Sequence, residues 1–299
     1  MQILVAILLS LSAGALETPP ASIPLAENSH PTPAPPETLE QLCLRQMRSL
    51  PGTILESELV SACTKVQRIE GCQSREGVPI YHYERKGTNK NPKRIFAKAL
   101  IHGDENLSGT VARAWMMRLE KIEPRNTWRV IPVANPDGWR LKTRTNGRGV
   151  DLNRNFPTED WEKQALSYWK KRSKSDPRRY PGEGPASEVE TQCLIKHFEE
   201  FKPEFLISVH TPLGVLDFDG PKVKNPPHFR PLPWIPLGNF PGSLGRFMWV
   251  GHKIPVLTIE LKGNEDIDKL EAFDRLQDIS GTVAIQADQL GKVTPKAKK

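Results

Sequence analysis

Past its first fifteen residues, the 299-residue chain has no apolar stretch near the roughly 20 residues a transmembrane helix needs, so stable membrane insertion is not expected. It has no internal repeat and no second set of motifs, which favours one large domain with short additions over two equal ones. Cysteine is scarce. Cys43, Cys63, Cys72 and Cys193 are an even number that allows three pairings. Cys43 with Cys63 is the expected pair, and buried free thiols are the alternative. The apolar run Ile3 to Leu11 lacks a preceding Lys or Arg and is too short to span a bilayer. It ends in the small residues Ala13-Gly14-Ala15, so residues 1–15 read as a secretory signal and the mature chain as periplasmic or secreted.

What is present begins with charge. A formal net charge of +7 and a pI near 9.2 imply attraction to anionic material without choosing among cell-wall polymer, acidic peptide, lipid head groups and nucleic acid. Seven prolines in residues 16–36 make an extended linker. Residues 37–69 carry two helical patterns, Leu39 to Met47 and Leu55 to Val66, parted by Pro51-Gly52, and read as a helical preface packed on the main domain. Residues 70–290 form that domain, and 291–299 a basic, disordered tail.

From Val78 strands and helices alternate, the pattern of an α/β domain in which a mixed, mostly parallel twisted sheet is sandwiched by helices. Strands are expected at 79–84, 95–101, 127–133, 204–209 and 255–261. Helices are expected at 106–120 with Asn106 as cap, at 187–201 with Ser187-x-x-Glu190 as capping box, and at 265–290. The run Lys170, Lys171, Arg172, Lys174, Arg178, Arg179 reads as a solvated loop, with an anionic-polymer site as the alternative. Thr211-Pro212 is a candidate cis bond.

The chemistry sits at strand ends, where open α/β sheets place their ligands. His102-x-x-Glu105 follows one apolar run, His210 ends another, and Glu260 ends a third. Two imidazoles and a carboxylate suit Zn²⁺ with a position left for water, and a separate carboxylate can take the water's proton. His102, Glu105 and His210 suit the ligand roles and Glu260 the base. Asp151 can hold the second ring nitrogen of His102, or merely cap a turn. Arg144 and Arg154 offer guanidinium groups to an oxyanion or a terminal carboxylate, or are exposed charges. Asn153 stands beside Arg154 with an amide to add. A carboxylate ending a strand buried on both faces, as Glu260 does, is costly without a task or a partner.

Several further segments join these: Asn135-Pro136-Asp137-Gly138, Gly149 through Pro157, Ser187-Glu188-x-Glu190-Thr191, His210-x-Pro212-Leu213 and Pro241-Gly242-Ser243. In this order they make the chain from about Glu70 to Gly263 resemble the zinc carboxypeptidase family, and within it the bacterial murein peptide amidase A group, which cuts the γ-D-glutamyl–diaminopimelate bond of cell-wall peptides. The resemblance implies one Zn²⁺ on His102, Glu105 and His210, Arg144 polarising the scissile carbonyl, Asn153 and Arg154 clamping the terminal carboxylate, and Glu260 as base and later acid. Digestive members place a substrate-closing tyrosine shortly before the Gly-Ser pair. Here that stretch reads Leu237-Gly238-Asn239-Phe240, so specificity must come from elsewhere. Arg246 is expected to meet the second carboxylate of diaminopimelate, and Asp217 or Asp219 its ammonium.

The expected function is an exported zinc peptidase acting on peptidoglycan stem peptides, as a monomer and with no nucleic-acid partner. Cleavage of the diaminopimelate–D-alanine bond, cleavage of ordinary L-peptides, and a wall-binding module without catalysis are the alternatives.

Overall fold

The computed structural model describes residues 37–222, 226–230, 232–263 and 270–291. The expected signal, linker and residues 292–299 lie outside these. Helices α1 (Leu39–Ser49) and α2 (Glu56–Cys63) come first. Thr38 starts α1 with a capping box, its hydroxyl accepting from Gln41 N while the Gln41 side chain accepts from Thr38 N. Strands β1 (Gln67–Gln73), β2 (Pro79–Arg85) and β3 (Arg94–Lys98) follow, then α3 (Asn106–Lys121), β4 (Thr127–Ile131), α4 (Pro136–Leu141) and α5 (Trp161–Lys171). After α6 (Val189–Phe201) come β5 (Phe205–His210), β6 (Val215–Asp219), β7 (Val256–Glu260) and α7 (Leu270–Gly291).

The seven strands form one sheet in the order β1-β2-β4-β3-β5-β7-β6. The central strands β4, β3, β5 and β7 run parallel, and β1, β2 and β6 are antiparallel to their neighbours. Period-two alternation sorts each central strand into two cores. Ile95, Ala97, Phe205, Ile207, Leu257 and Ile259 face a core built with α1, α2, α3 and α7. Phe96, Leu206 and Val256 face a second core under α6. Both faces are covered, which is why these strands read as continuous apolar runs.

On the second face each strand turns polar as it nears its carboxyl end: Phe96 is followed two residues on by Lys98, Leu206 by Ser208 and His210, and Val256 by Thr258 and Glu260. The register sets His210 beside Glu260 and Ser208 beside both Lys98 and Thr258. Three buried strands thus bring their polar ends to one edge of the sheet.

Buried Arg113 of α3 ties down the first two helices by donating to the carbonyls of Met47, Leu50, Pro51 and Thr53 at 2.8, 2.8, 2.6 and 3.3 Å. Disulfides join Cys43 to Cys63, as expected, and Cys72 to Cys193. Strand β1 runs through the expected boundary at residues 69 and 70, so Gln67 to Ile69 already belong to the sheet.

Two caps differ from expectation. Asn106 is the first residue inside α3, and its side-chain oxygen accepts from Trp139 Nε1 at 2.7 Å. Helix α6 begins at Val189 without a side-chain cap, because Ser187 donates to Glu188 while Glu190 accepts from Arg75 N and Asn146. Lys170 and Lys171 end the amphipathic helix α5 instead of lying in a loop. The Thr211-Pro212 bond is cis.

Candidate active site

His102 follows β3, and Glu105 stands one turn-like step later at the start of α3. Gly103 lets this turn touch the Asn135–Gly138 segment, since a Cβ there would lie 2.0 Å from the Gly138 carbonyl carbon. His210 arrives as the last residue of β5. The Nδ1 atoms of His102 and His210 lie 3.2 Å apart, and the Glu105 carboxylate oxygens are 2.7 and 2.9 Å from them. All three residues are buried, and one ligand atom from each lies within 4.8 Å of the others.

The outer ring nitrogens explain why both Nδ1 atoms point inward. His102 Nε2 faces Asp151 Oδ1 at 3.2 Å, and His210 Nε2 faces Ser208 Oγ at 2.8 Å. A proton held on each Nε2 by these oxygens leaves the Nδ1 lone pairs aimed at a shared point. Two imidazole nitrogens and a carboxylate converging in a buried place are a donor set that fits Zn²⁺.

Asp151 is the hub of the surrounding polar groups. Its Oδ2 accepts from Arg144 Nε and Nη2, each at 3.0 Å, and its Oδ1 also accepts from Asn153 N at 3.0 Å. Burial opposes its charge, but Arg144 and His102 hold its carboxyl well below the usual range. In the same way Asp151 and Glu105 outweigh burial and raise Arg144. Arg144 Nη1 reaches to 3.2 Å from His102 Nδ1.

Glu260 ends β7 beside His210, and its oxygen accepts from Leu213 N at 3.4 Å. Burial first, then repulsion from Glu105, raises it to about 7. That suits a group that must both take and return a proton.

His102, Glu105, His210, Arg144 and Glu260 line one cleft of about 390 Å³, which also holds Asn153, Arg154, Asp217, Asp219, Phe240 and Leu244. The Arg154 guanidinium lies 4.7 Å over the Phe240 ring, donates to Asn153 O at 2.7 Å, and pairs with no carboxylate among the described residues. Asn153 Oδ1 accepts from Leu244 N at 2.9 Å, fastening the 152–154 turn to the loop before β7. Gly242, at φ +78, allows this approach: a Cβ there would lie 1.9 Å from Arg154 O. Asp217 and Asp219 share the face of β6 that carries Thr258 and Val256 on β7. Burial raises both, and neither forms an ion pair with another described residue.

Arg246 is not where the sequence suggested. It lines a neighbouring cavity and pairs with Asp160 at 2.8 Å, because the 246–251 helical turn directs it to the start of α5 and away from the cleft. The arginines that do join Arg144 and Arg154 in the cleft are Arg178 and Arg179.

The zinc carboxypeptidase family model matches residues 57–216, more than half of the chain. The chain belongs to the zinc carboxypeptidase family. A murein peptide amidase A of Escherichia coli is 32% identical over 143 residues, which cover 47% of this chain and 57% of that protein. The chain therefore spans a little over half the length of that relative. The Vibrio campbellii protein of the same name is 28% identical over 201 residues, covering 62% of this chain and 75% of its own. The crystal structure of an Escherichia coli murein-tripeptide amidase superposes with a TM-score of 0.51 at 24% identity, over 73% of this chain and 91% of that one. The family match takes in His102, Glu105, Arg144, Asn153, Arg154 and His210 and ends before Asp217, Arg246 and Glu260.

One buried group at the site was missed. Lys98 Nζ lies 3.1 Å from His210 Nε2, fully buried, and burial lowers it to about 7, so that as a neutral amine it can accept the Nε2 proton that Ser208 also faces. A lysine within the apolar run Ile95-Phe96-Ala97-Lys98-Ala99-Leu100-Ile101 is the signal that could have found it, since a charge inside a doubly covered strand needs a partner.

Proposed function

We propose that this chain is an exported metallopeptidase that hydrolyses the γ-D-glutamyl–meso-diaminopimelate bond of peptidoglycan stem peptides, with one Zn²⁺ held by His102, Glu105 and His210. The observation that carries the reading is the convergence of these three residues with Arg144 and Glu260 on a cleft that also contains cationic and acidic groups. When bound there, Zn²⁺ supplies Lewis acidity toward a carbonyl oxygen and toward water.

The chain's own residues do the rest. Glu260 takes the proton of the attacking water and delivers it to the departing amine. Arg144, kept in place by its two bonds to Asp151, faces the charge that develops on the carbonyl oxygen. Asp151 and Ser208 fix the orientation of the two imidazoles. Arg154 and Asn153 receive the carboxylate of the leaving residue, a role suited to a guanidinium with no carboxylate partner among the described residues. Asp217 and Asp219 receive an ammonium on the leaving side chain, since two carboxylates this close to each other and to apolar walls are relieved by a cation. A leaving residue with two carboxylates and an ammonium matches this mixture, and the names of the relatives agree with it.

Mass spectrometry of the chain incubated with L-Ala-γ-D-Glu-diaminopimelate and with its D-Ala-extended form tests the reading. Free diaminopimelate is expected, lost with chelator and in Glu260→Ala. Release of D-alanine alone would move the specificity, and release of lysine from an L-peptide without action on either stem peptide would make this a general carboxypeptidase.

A further inference from the structure

A second group of metal-ligating side chains lies in the core under α6, away from the cleft. Cys72 of β1 and Cys193 and His197 of α6 are buried, with ligand atoms all within 4.8 Å of one another. Cys193 and His197 are four residues apart on one helix, so both project to the same side. His82 of β2 lies beside His197 and outside this group of three, its ring centroid 5.0 Å from that of His197 at an interplanar angle of 82°.

The two imidazoles are the anomaly. His82 is 2% exposed and His197 0%. None of their four ring nitrogens has a hydrogen-bond partner among the described residues. Buried polar groups are nearly always paired; the apolar neighbours Ile80, Phe96 and Phe198 have nothing to offer these, and Arg129, the cation whose charge reaches both, pairs with Glu84 and Glu200. Packing alone would be served better by leucine or phenylalanine at both places. One imidazole beside two sulfurs, with a second imidazole edge-on to the first, supplies instead the ligand types of a tetrahedral zinc site of the closed, structural kind.

We propose that Cys72, Cys193 and His197, with the His82 ring turning in as fourth ligand, form a second, structural metal site when the Cys72–Cys193 disulfide is reduced, and that it takes a borderline-soft divalent cation of the Zn²⁺ class. A dithiol reductant gives two electrons and two protons to the sulfur–sulfur bond and is itself oxidised to its disulfide. Each cysteine thiol then releases its proton to solvent as its sulfur binds the cation, while the histidines bind through ring lone pairs. Two thiolates neutralise the cation, so the core gains no net charge. The β1–β2 hairpin stays fastened to α6 in either redox state, by a disulfide or by a metal. Unlike the reaction in the cleft, this inference does not rest on the proposed substrate.

The test uses the full chain with Co²⁺ and Zn²⁺ as probes, oxidised or reduced anaerobically with a dithiol that is then removed. The oxidised chain is expected to bind one equivalent without thiolate-to-cobalt charge transfer. The reduced chain is expected to bind two, the second with intense near-ultraviolet charge-transfer absorption. That absorption should vanish in His197→Phe and persist in Cys43→Ser/Cys63→Ser, which assigns it to the proposed sulfurs. One equivalent bound by a reduced chain with four alkylatable thiols overturns the proposal. So does charge transfer that survives His197→Phe. If the variant does not fold, the stoichiometry of the wild-type chain decides. A reduced chain that is unfolded both with and without Zn²⁺ also counts against the site.

Discussion

Replacing Asp151 by asparagine keeps the shape of the side chain and removes the charge on which three site elements meet. The carboxylate accepts from His102 Nε2 at 3.2 Å, from Arg144 Nε and Nη2 at 3.0 Å each, and from Asn153 N at 3.0 Å. Asparagine offers one oxygen and one donor nitrogen. If the nitrogen faces Arg144, donors meet donors in a buried place. If it faces His102, the imidazole proton moves to Nδ1 and the inward lone pair is lost. Breaking one member of a buried ion pair costs about 3–5 kcal/mol. Loss of a carboxylate behind a metal-binding histidine lowers metal affinity by roughly 10–100-fold. Because the native carboxyl lies well below its unfolded value, its contribution to stability is present above roughly pH 4 and drains away as pH falls through the native value. Asp151→Asn should therefore melt lower at neutral pH, by an amount that shrinks in acid, and should lose Zn²⁺ to a competing chelator at lower chelator concentration. An unchanged melting temperature together with a zinc affinity within about threefold of wild type would refute the reasoning, since threefold is well below the expected range.

Glu260→Gln should lower kcat by roughly 10²–10⁴ while zinc content, measured by elemental analysis, stays at one equivalent, because Glu260 stands outside the His102–Glu105–His210 group. Asp217→Asn/Asp219→Asn should cut kcat/KM for a leaving residue with a side-chain ammonium by at least about tenfold relative to an apolar one, as expected when a charged contact worth about 1.4 kcal/mol or more is lost. Competition kinetics with paired peptides would show it, and an unchanged ratio would sink the assignment. Glu120, half-buried, accepts from Tyr83 at 2.6 Å and also pairs with Lys65 and Ser61; these partners lower it against the effect of burial. Its contribution to stability is thus present above roughly pH 4.5 and lost as pH falls, so urea denaturation of Glu120→Gln should show a smaller loss of stability between pH 7 and 3 than the wild type.

Strands β2, β3, β4, β5 and β7 were legible because each carries a short run rich in β-branched, apolar or aromatic residues, while β1 and β6 were not. Strand β1 exposes most of its side chains and gives no clear alternation, and β6 is five residues with Asp217 and Asp219 on its polar face. The expected caps at Asn106 and Ser187 failed because other residues claimed those side chains, and local pattern does not see a partner thirty residues away. Arg246 was placed in the cleft from its nearness to Gly242-Ser243, but a single helical turn is enough to send a long side chain to Asp160.

The sequence by itself determined the kinds of residue at the strand ends and their order, because polar groups that close buried strands must be paired or used. Only the tertiary structure decided which of them meet. The register of β3, β5 and β7 sets His210 beside Glu260 and Lys98 beneath His210, the turn after β3 carries His102 to them, and the pairing of β6 with β7 brings Asp217 into the cleft. Pairing between strands is a contact across the fold, and no spacing along the chain encodes it.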